Sequence, residues 1–235
     1  MNTAIIVAAG RGTRMGSGVE KLFLELAGKP VIAHTWRRFE EAACVDEIVL
    51  VVRPESRETF REVAEREGFG KPYRWADGGA ERQDSVWNGI QQVAAGSAVV
   101  AIHDGARPCV REDVIEAAIE AARIHGAAVV ANKLTDTVKE SDDGEVVSRH
   151  MDRNRLWAVS TPQTFRVEVI RRALEAARKQ DRVFTDDTAA CQLIGQAVRL
   201  VPTTRPNPKV TTPDDLPAVE SLLRTMEATA DRPRR

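Results

Sequence analysis

The segment TAIIVAAGRGTRMG, residues 3–16, joins a short apolar run to a glycine-rich loop. The apolar run, residues 3–7, has the length and composition of a buried β-strand. Glycines let a backbone turn tightly and approach a ligand, and the exposed N–H groups of such a loop can hold an anion. The segment therefore predicts a strand that leads directly into a loop able to bind phosphate.

Strand-length apolar runs alternate with helix-period segments along most of the chain. Further strands are expected at residues 47–52, 73–75, 98–103, 127–132, 157–160 and 197–201. Helices are expected at about residues 30–43, 56–67, 84–94, 112–125, 166–179, 187–193 and 214–226. This alternation is typical of βαβ units around a mostly parallel sheet. We therefore predict an α/β fold with a single domain over residues 1–226 and a polar tail over residues 227–235.

One region departs from this rhythm. Residues 137–139 and 145–149 flank the polar turn Ser141-Asp-Asp-Gly144, which is the pattern of a β-hairpin. No crossover helix follows the strand predicted at residues 127–132, so the hairpin does not fit the alternation of the main sheet. We predict that residues from about 133 to 156 form a β-hairpin arm that protrudes from the sheet.

Charge and composition exclude several classes of protein. The 34 Lys and Arg residues nearly balance the 35 Asp and Glu residues, for a net charge of −1, which excludes binding to nucleic acid or membrane mainly through bulk charge. No apolar run approaches the roughly 20 residues of a membrane helix, and the first is too short for a signal peptide. Three cysteines without a close pair and four scattered histidines argue against disulfides and an imidazole metal site. We expect a cytoplasmic protein.

The glycine-rich loop matches neither of two common nucleotide-binding motifs. No Gly-Lys-Ser/Thr follows it, as a Walker A loop requires, and Met15 stands where a dinucleotide fingerprint has its third small residue. The loop carries Arg14, and Lys21 follows it. Two cations beside a phosphate cradle suit a reaction whose transition state concentrates negative charge on phosphorus. The alternative is that both are solvated loop charges.

A second loop contains the turn Asp77-Gly78-Gly79. Paired glycines let a flat ligand lie against bare backbone, so this turn is a candidate for binding a base. Asp84 and Ser85 follow at the start of a predicted helix, and for these side chains helix capping is the simpler role.

A third loop, HDGARP at residues 103–108, follows a predicted strand. In open α/β sheets, ligands bind at the carboxyl ends of the strands. A carboxylate there, Asp104, could hold Mg²⁺, and Arg107 could hold an anionic substrate. The alternative is an ordinary turn with an internal Asp–Arg pair.

Taken in order, these segments resemble the 2-C-methyl-D-erythritol 4-phosphate cytidylyltransferases of the non-mevalonate isoprenoid pathway. The resemblance runs from about residue 4 to residue 223. It is carried by AAGRGTRM (8–15), Lys21, DGG (77–79), Arg82, DSV (84–86), HDGARP (103–108), DRN (152–154), TPQ (161–163), Thr185-Asp186 and KVT (209–211). Each segment alone is a weak signal, whereas the ordered set is a strong one.

The resemblance implies a Rossmann-like fold of the nucleotide-diphospho-sugar transferase type and a reaction between CTP and methylerythritol phosphate. The positions implied to contact CTP are Ala8, Ala9, Gly10, Gly78, Gly79, Ser85, Asp104 and Gly105. Arg14 and Lys21 match the pair that stabilises the transition state at the α-phosphorus, and Asp104 would lie beside the ribose and a Mg²⁺-bound triphosphate. The positions implied to hold methylerythritol phosphate are Arg153 and Lys209, with Arg107, Thr137, Thr161 and Thr185. The resemblance also implies a homodimer in which each arm embraces the other subunit.

Two positions depart from the pattern of the family. Glu20 stands before the loop lysine, where the family often has proline, and Gly105 stands where it often has alanine. Two other functions stay open at this point. One is the same transfer to another polyol phosphate, such as ribitol 5-phosphate, and the other is nucleotide binding without turnover.

Overall fold

The computed structural model describes residues 1–10, 20–180, 182, 184 and 186–230 of the chain. Its strands are β1 (Asn2–Val7), β2 (Glu25–Leu26), β3 (Lys29–Pro30), β4 (Glu47–Val52), β5 (Tyr73–Asp77), β6 (Val99–Asp104), β7 (Ala127–Lys133), β8 (Lys139–Glu140), β9 (Arg149–His150), β10 (Trp157–Arg166) and β11 (Arg199–Pro202). Seven of them form one sheet in the order β11-β7-β10-β6-β1-β4-β5. The short hairpin of β2 and β3 was not predicted from the sequence.

Helices cover both faces of this sheet. They are α1 (Val31–Glu41), α2 (Arg57–Glu67), α3 (Arg82–Gln91), α4 (Glu112–His125), α5 (Val167–Lys179) and α6 (Leu216–Ala230). Buried side chains of α1, α2, α4 and α6 form one core cluster with the sheet, and those of α3 and α5 form the other. Within the described residues, no helix has the length and apolar character needed to cross a membrane.

The central strands are buried on both faces, which explains their continuous apolar sequence. In β1, Ala4 and Ile6 belong to one core cluster and Ile5 to the other, and all three are fully buried. Parallel strands between two helical layers read as apolar runs rather than as alternating patterns. The predictions for β1, β4 and β6 rested on this signal and are confirmed to within one or two residues.

Among the described strands of the sheet, only β10 runs antiparallel to its neighbours, β6 and β7. The sequence predicted a strand that ends at residue 160, but β10 continues to Arg166 because Gln163, Thr164 and Phe165 pair with both neighbours. The register against β7 shifts between Val159 and Gln163. The predicted strand stopped at residue 160, before the polar residues and proline of this irregular stretch.

Several boundaries differ from the predicted ones. Helix α3 begins at Arg82 rather than at residue 84, because Glu81 caps it in a reciprocal arrangement with Asp84. The helix predicted at residues 187–193 is a 3₁₀ segment, Ala189–Ile194. Helix α6 continues to Ala230, beyond the predicted domain end at residue 226, and residues 231–235 of the predicted tail lie outside the described residues.

The predicted arm is a two-stranded antiparallel hairpin that forms a sheet of its own. Its strands, β8 and β9, pair over two residues each, and the residues between them are exposed. The arm presents apolar side chains to solvent, since Val146 is 67% and Val147 48% exposed. A hairpin this short is marginal on its own in water, so a docking surface would stabilise it.

Cys44, Cys109 and Cys191 are all free thiols. Cys109 and Cys191 are buried, and burial raises the pKa of each to about 12. Neither thiol is therefore an activated nucleophile at neutral pH.

Candidate active site

The carboxyl ends of β1 and β6 open onto a cleft of about 640 Å³. This is the end of an open α/β sheet at which ligands bind. The residues that line it are Val7, Ala8, Ala9, Gly10, Lys21, Leu22, Gly79, Ala80, Glu81, Arg82, Ser85, Asp104, Gly105, Ala106, Lys209 and Thr211. Three separate loops that the sequence singled out thus meet at one site.

The floor of the cleft is backbone packed too closely to admit larger residues. A Cβ atom added to Gly78 would lie 2.3 Å from the Cβ of Ala9, and one added to Gly79 would lie 2.2 Å from the Cβ of Asp84. Carbon atoms in contact are normally about 3.5–4.0 Å apart. Glycine is therefore required at both positions, and at Gly79 it leaves bare backbone facing the cleft.

Ser85 ties this glycine turn to the start of α3. Its hydroxyl accepts a 2.9 Å hydrogen bond from the backbone N–H of Gly79 and donates to the carbonyl oxygen of Glu81. Asp84 contributes to the cap, since its carboxylate accepts from the N–H of Glu81. The capping role predicted for these side chains is confirmed for Asp84, whereas Ser85 shapes the turn and also lines the cleft.

Asp104 stands at the end of β6 with three cations around its carboxylate. Oδ1 accepts from Arg82 Nε at 3.3 Å, and Oδ2 accepts from Lys209 Nζ at 2.9 Å and Arg107 Nε at 3.4 Å. Burial opposes ionisation, but these cations outweigh it and hold the pKa of Asp104 well below its usual range. One carboxylate thus gathers more positive charge than it neutralises, which suits a site for a polyanion.

The loop that carries Asp104 is fixed from behind by His103. Its Nε2 lies 3.0 Å from the carbonyl oxygen of Arg107, and its Nδ1 lies 3.1 Å from Oγ1 of Thr161. A neutral ring bonds to a carbonyl only through a protonated nitrogen, so Nε2 donates to Arg107 and Nδ1 accepts from the Thr161 hydroxyl. That hydroxyl oxygen in turn accepts from the N–H of Asp104 at 3.2 Å. Burial lowers the pKa of His103 to about 4, which keeps the ring neutral at physiological pH.

Backbone bonds fix the segment with Lys209, which also lines the cleft, next to the loop of Asp104. The N–H of Val210 donates to the carbonyl oxygen of Ala106 at 2.8 Å, next to Asp104. Lys21 Nζ donates to the carbonyl oxygen of Val210 at 3.0 Å. Lys21 and Lys209 are distant in sequence, and these bonds bring them to one wall.

Glu20, the residue before Lys21, forms an ion pair with Arg53 at the end of β4. Its negative charge is therefore engaged by an arginine.

Arg82 and Asp187 form a link that sequence reasoning missed. Arg82 belongs to a motif that implied no particular role for it, and Asp187 stands in a polar run that resembles a solvated turn. In the structure Arg82 Nη1 donates to Asp187 Oδ2 at 2.8 Å, and the Asp187 side chain is only 1% exposed. Burial raises the pKa of Asp187, and Arg82 opposes that rise.

The predicted site residues fall into four groups. Those that line the cleft are Ala8, Ala9, Gly10, Lys21, Gly79, Ser85, Asp104, Gly105 and Lys209. Those that support its walls without lining it are Gly78, Arg107 and Thr161. Those on the arm and its base, exposed and apart from the cleft, are Thr137 and Arg153. Those outside the described residues are Arg14 and Thr185.

Arg153 makes its contact at the base of the arm rather than at the cleft. Its Nη1 donates to the carbonyl oxygen of Thr135 at 2.8 Å, and the side chain is exposed. Within one subunit, therefore, Arg153 does not join the group of cations around Asp104.

The residues suited to metal binding are few. Over the ranges that the structure describes, no group of three or more His, Cys, Asp or Glu side chains could hold a metal ion. Asp104 is the buried carboxylate that lines the cleft, and it is already bonded to three protein donors.

Comparisons with known proteins agree on one family. The sequence model of IspD, 2-C-methyl-D-erythritol 4-phosphate cytidylyltransferase, matches residues 2–225. Relatives with that name include one from Geobacillus kaustophilus, 44% identical over 220 residues (94% of this chain, 96% of the relative), and one from Alkaliphilus oremlandii, 40% identical over 224 residues (95% of each). The crystal structure of 4-diphosphocytidyl-2C-methyl-D-erythritol synthase from Anaerococcus prevotii superposes with a TM-score of 0.85 at 28% identity, covering 95% of this chain and 96% of that one.

Proposed function

The chain belongs to the 2-C-methyl-D-erythritol 4-phosphate cytidylyltransferase family, and from this premise we propose how its residues carry out the reaction. The enzyme is a nucleotidyltransferase of isoprenoid precursor synthesis. It joins CTP and methylerythritol phosphate to give 4-diphosphocytidyl-2-C-methyl-D-erythritol and pyrophosphate. Its free thiols suit the reducing cytoplasm, where we expect it to act.

The main support for the mechanism is a cleft whose floor is bare backbone and whose walls carry several cationic side chains. Arg82, Lys21 and Lys209 line one cleft with a single buried carboxylate, Asp104, among them. A nucleoside triphosphate needs such positive charge for its phosphates and a flat surface for its base. The ends of β1 and the glycine turn supply that surface, and we assign the cytosine to the backbone of Ala8 to Gly10 and of Gly78 and Gly79.

The attacking group is an oxygen of the methylerythritol phosphate, and it is already anionic. No general base is required, so catalysis rests on positioning and on neutralising charge. The oxygen attacks the α-phosphorus of CTP, a new P–O bond forms, and the bond to pyrophosphate breaks. Lys21 lines the cleft and is held by the carbonyl oxygen of Val210. We assign to Lys21, with Arg14, the stabilisation of the negative charge that develops on the α-phosphoryl group.

Mg²⁺ fits this site through Asp104. An ionised carboxylate offers about four lone pairs, and the three protein donors leave one of them, on Oδ1, for another partner. Mg²⁺ is commonly held by one or two carboxylates together with substrate phosphates. We therefore propose that Asp104 holds Mg²⁺ alongside the triphosphate, where the ion would neutralise phosphate charge.

We assign the phosphate of the acceptor to Lys209, with help from Arg107, because both donate to Oδ2 of Asp104, whereas Arg82, at the start of α3, donates to Oδ1. Arg153 is the other cation that we propose to bind the acceptor phosphate, and it lies exposed at the base of the arm, outside the cleft. Its place outside the cleft, bonded to Thr135, supports a site that is completed by a second copy of the chain. The exposed Val146 and Val147 of the arm give it an apolar surface for docking on that copy.

The composite site is tested by mixing two inactive variants, Lys21→Ala and Arg153→Ala, under conditions that exchange subunits. If Arg153 acts on the partner's cleft, each mixed dimer contains one doubly damaged site and one intact site. Random pairing at equal concentrations makes about half of the dimers mixed, so about a quarter of all sites should be active. If Arg153 acts within its own subunit, every site keeps one lesion, and a verified mixed dimer without activity would refute the proposal.

The acceptor is tested by measuring pyrophosphate release with CTP and either methylerythritol phosphate or ribitol 5-phosphate. We expect turnover with methylerythritol phosphate and a much lower kcat/KM with ribitol 5-phosphate. The opposite preference would assign the chain to another polyol phosphate, and CTP binding without pyrophosphate release would indicate a protein that binds nucleotide without turnover.

A further inference from the structure

A buried carboxylate that the reaction does not use stands behind the cleft. Asp187 is 2% exposed, and its Oδ2 accepts a 2.8 Å hydrogen bond from Nη1 of Arg82. Its backbone N–H donates at 2.9 Å to Oε1 of Gln163, a side chain of β10 that is itself 3% exposed. Burying a charge costs several kcal/mol unless it is paired. The fold therefore retains Asp187 at a cost that its pairing with Arg82 reduces.

Arg82 stands between two carboxylates. Its Nη1 bonds to Asp187 behind the wall, while its Nε bonds to Asp104 in the wall at 3.3 Å. The guanidinium carries its five N–H groups in a fixed planar fork, so two anchors on different edges determine its orientation. No described residue bonds to Nη2, and Arg82 lines the cleft. The third edge of the fork is thus available to an anionic ligand.

Asp187 sets the orientation of Arg82 because it competes with Asp104. Without the rear carboxylate, Arg82 would have Asp104 as its one remaining anionic partner and could turn its fork to bond both oxygens of that group. Such bidentate pairing is the favoured geometry of an arginine and a carboxylate. It would withdraw Arg82 from the cleft.

We infer that Asp187 is a positioning residue that holds Arg82 as a third cation for the triphosphate of CTP. This inference rests on the proposed CTP site and deepens it. Asp187 acts only through Arg82, and Gln163 fixes the backbone from which Asp187 reaches it. The polyol phosphate is assigned to Lys209 and Arg107, which bond to Asp104 and not to Asp187, so a defect at Asp187 should affect the nucleotide much more than the acceptor.

The test uses the variant Asp187→Asn, which keeps the shape of the side chain and removes its charge. Calorimetry with the full-length protein and Mg·CTP should show Kd raised about tenfold. In steady-state assays KM for CTP should rise by a similar factor, while KM for methylerythritol phosphate changes less than twofold. Glu67→Gln is the matched control, because Glu67 is also a shielded carboxylate, its side chain 7% exposed, and is paired with an arginine, Arg37, but lies away from the cleft. It should leave both constants unchanged.

A double-mutant cycle separates positioning from support of the fold. Arg82→Gln should weaken CTP binding, and adding Asp187→Asn to it should weaken binding no further, because Asp187 would have no guanidinium left to orient. Additive effects, or equal losses for both substrates, would overturn the inference. If Asp187→Asn fails to fold, Gln163→Met replaces it in the cycle, because it removes the bond that fixes the backbone of Asp187. Weaker CTP binding that disappears in the Arg82→Gln background is again expected, and additive effects would again overturn the inference.

Calorimetry with CTP also keeps the two proposals apart. If the wild-type protein binds CTP but releases no pyrophosphate, the proposed transfer is refuted. The double-mutant cycle, which measures CTP affinity, still tests the role of Asp187 in that case. Wild-type turnover with an Asp187→Asn variant of unchanged CTP affinity would refute the positioning role alone.

Discussion

Gly78 offers the sharpest structural test of the cleft floor. Replacing it by alanine puts a Cβ atom 2.3 Å from the Cβ of Ala9, more than 1 Å inside normal carbon–carbon contact. Neither side can relax easily, since the N–H of Gly78 donates to the carbonyl oxygen of Val52 at 3.0 Å and the N–H of Ala8 donates to that of Val51 at 2.8 Å. Strand β4 thus anchors both segments that the new methyl group pushes apart.

Overpacking of this kind costs about 1–3 kcal/mol, which for a chain of this length lowers Tm by roughly 2–4 °C per kcal/mol. The displaced floor should impair the reaction with CTP more than it lowers Tm, because a misplacement of about 1 Å can reduce rates by about a hundredfold. We expect Gly78→Ala to raise KM for CTP at least tenfold. Pyrophosphate release against CTP concentration gives KM, and thermal denaturation followed by circular dichroism gives Tm.

Two other glycines calibrate the result. A Cβ on Gly96 has nothing within 4 Å, so Gly96→Ala should behave as wild type. A Cβ on Gly105 meets Ile32 Cδ1 and the Val7 carbonyl oxygen at 3.2 Å, which a shift of a few tenths of an ångström relieves. Gly105→Ala should therefore change KM less than threefold. If Gly78→Ala has the same KM and Tm as the wild type, the close packing proposed for the cleft floor is refuted.

Three further predictions concern charge. Lys21→Ala removes a cation that acts mainly in the transition state, so kcat should fall by roughly a hundredfold or more; unchanged kcat with a raised KM would reassign Lys21 to simple CTP binding. Lys209→Ala should weaken methylerythritol phosphate at least tenfold while CTP changes little, and calorimetry with each substrate checks this order. Burial lowers the pKa of His103 to about 4, whereas an unfolded histidine titrates near 6.5. Between those two pH values the unfolded state binds a proton that the folded state does not. The free energy of unfolding should therefore decrease as the pH is lowered, by up to about 1.4 kcal/mol per pH unit within that window. Urea denaturation of wild type and His103→Gln from pH 7 to 5 should show a weaker pH dependence in the variant.

The sequence predicted those parts of the fold that depend on local pattern. Continuous apolar runs identified β1, β4 and β6, and their carboxyl ends brought the glycine loop and Asp104 to one edge. The extension of β10 was missed because its polar residues and Pro162 read as a loop, while pairing with two neighbouring strands overrides that local signal.

Long-range contacts explain what the sequence left out of the site. Asp186 and Asp187 look alike in the sequence, yet Asp186 caps its own turn through the N–H of Ala189, while Asp187 is buried against Arg82. Which carboxylate turns inward depends on a partner far away along the chain. The role of the arm depends on a second subunit, which no local pattern describes.

The proposed mechanism depends on attack by an oxygen of the polyol phosphate on the α-phosphorus of CTP. Methylerythritol phosphate labelled with ¹⁸O at its three non-ester phosphate oxygens tests this attack directly. We predict that ³¹P NMR of the product shows an isotope shift at the cytidylyl phosphorus, from one bridging ¹⁸O, and that the released pyrophosphate carries no label. Label in the pyrophosphate, or a cytidylyl phosphorus without an isotope shift, would contradict it.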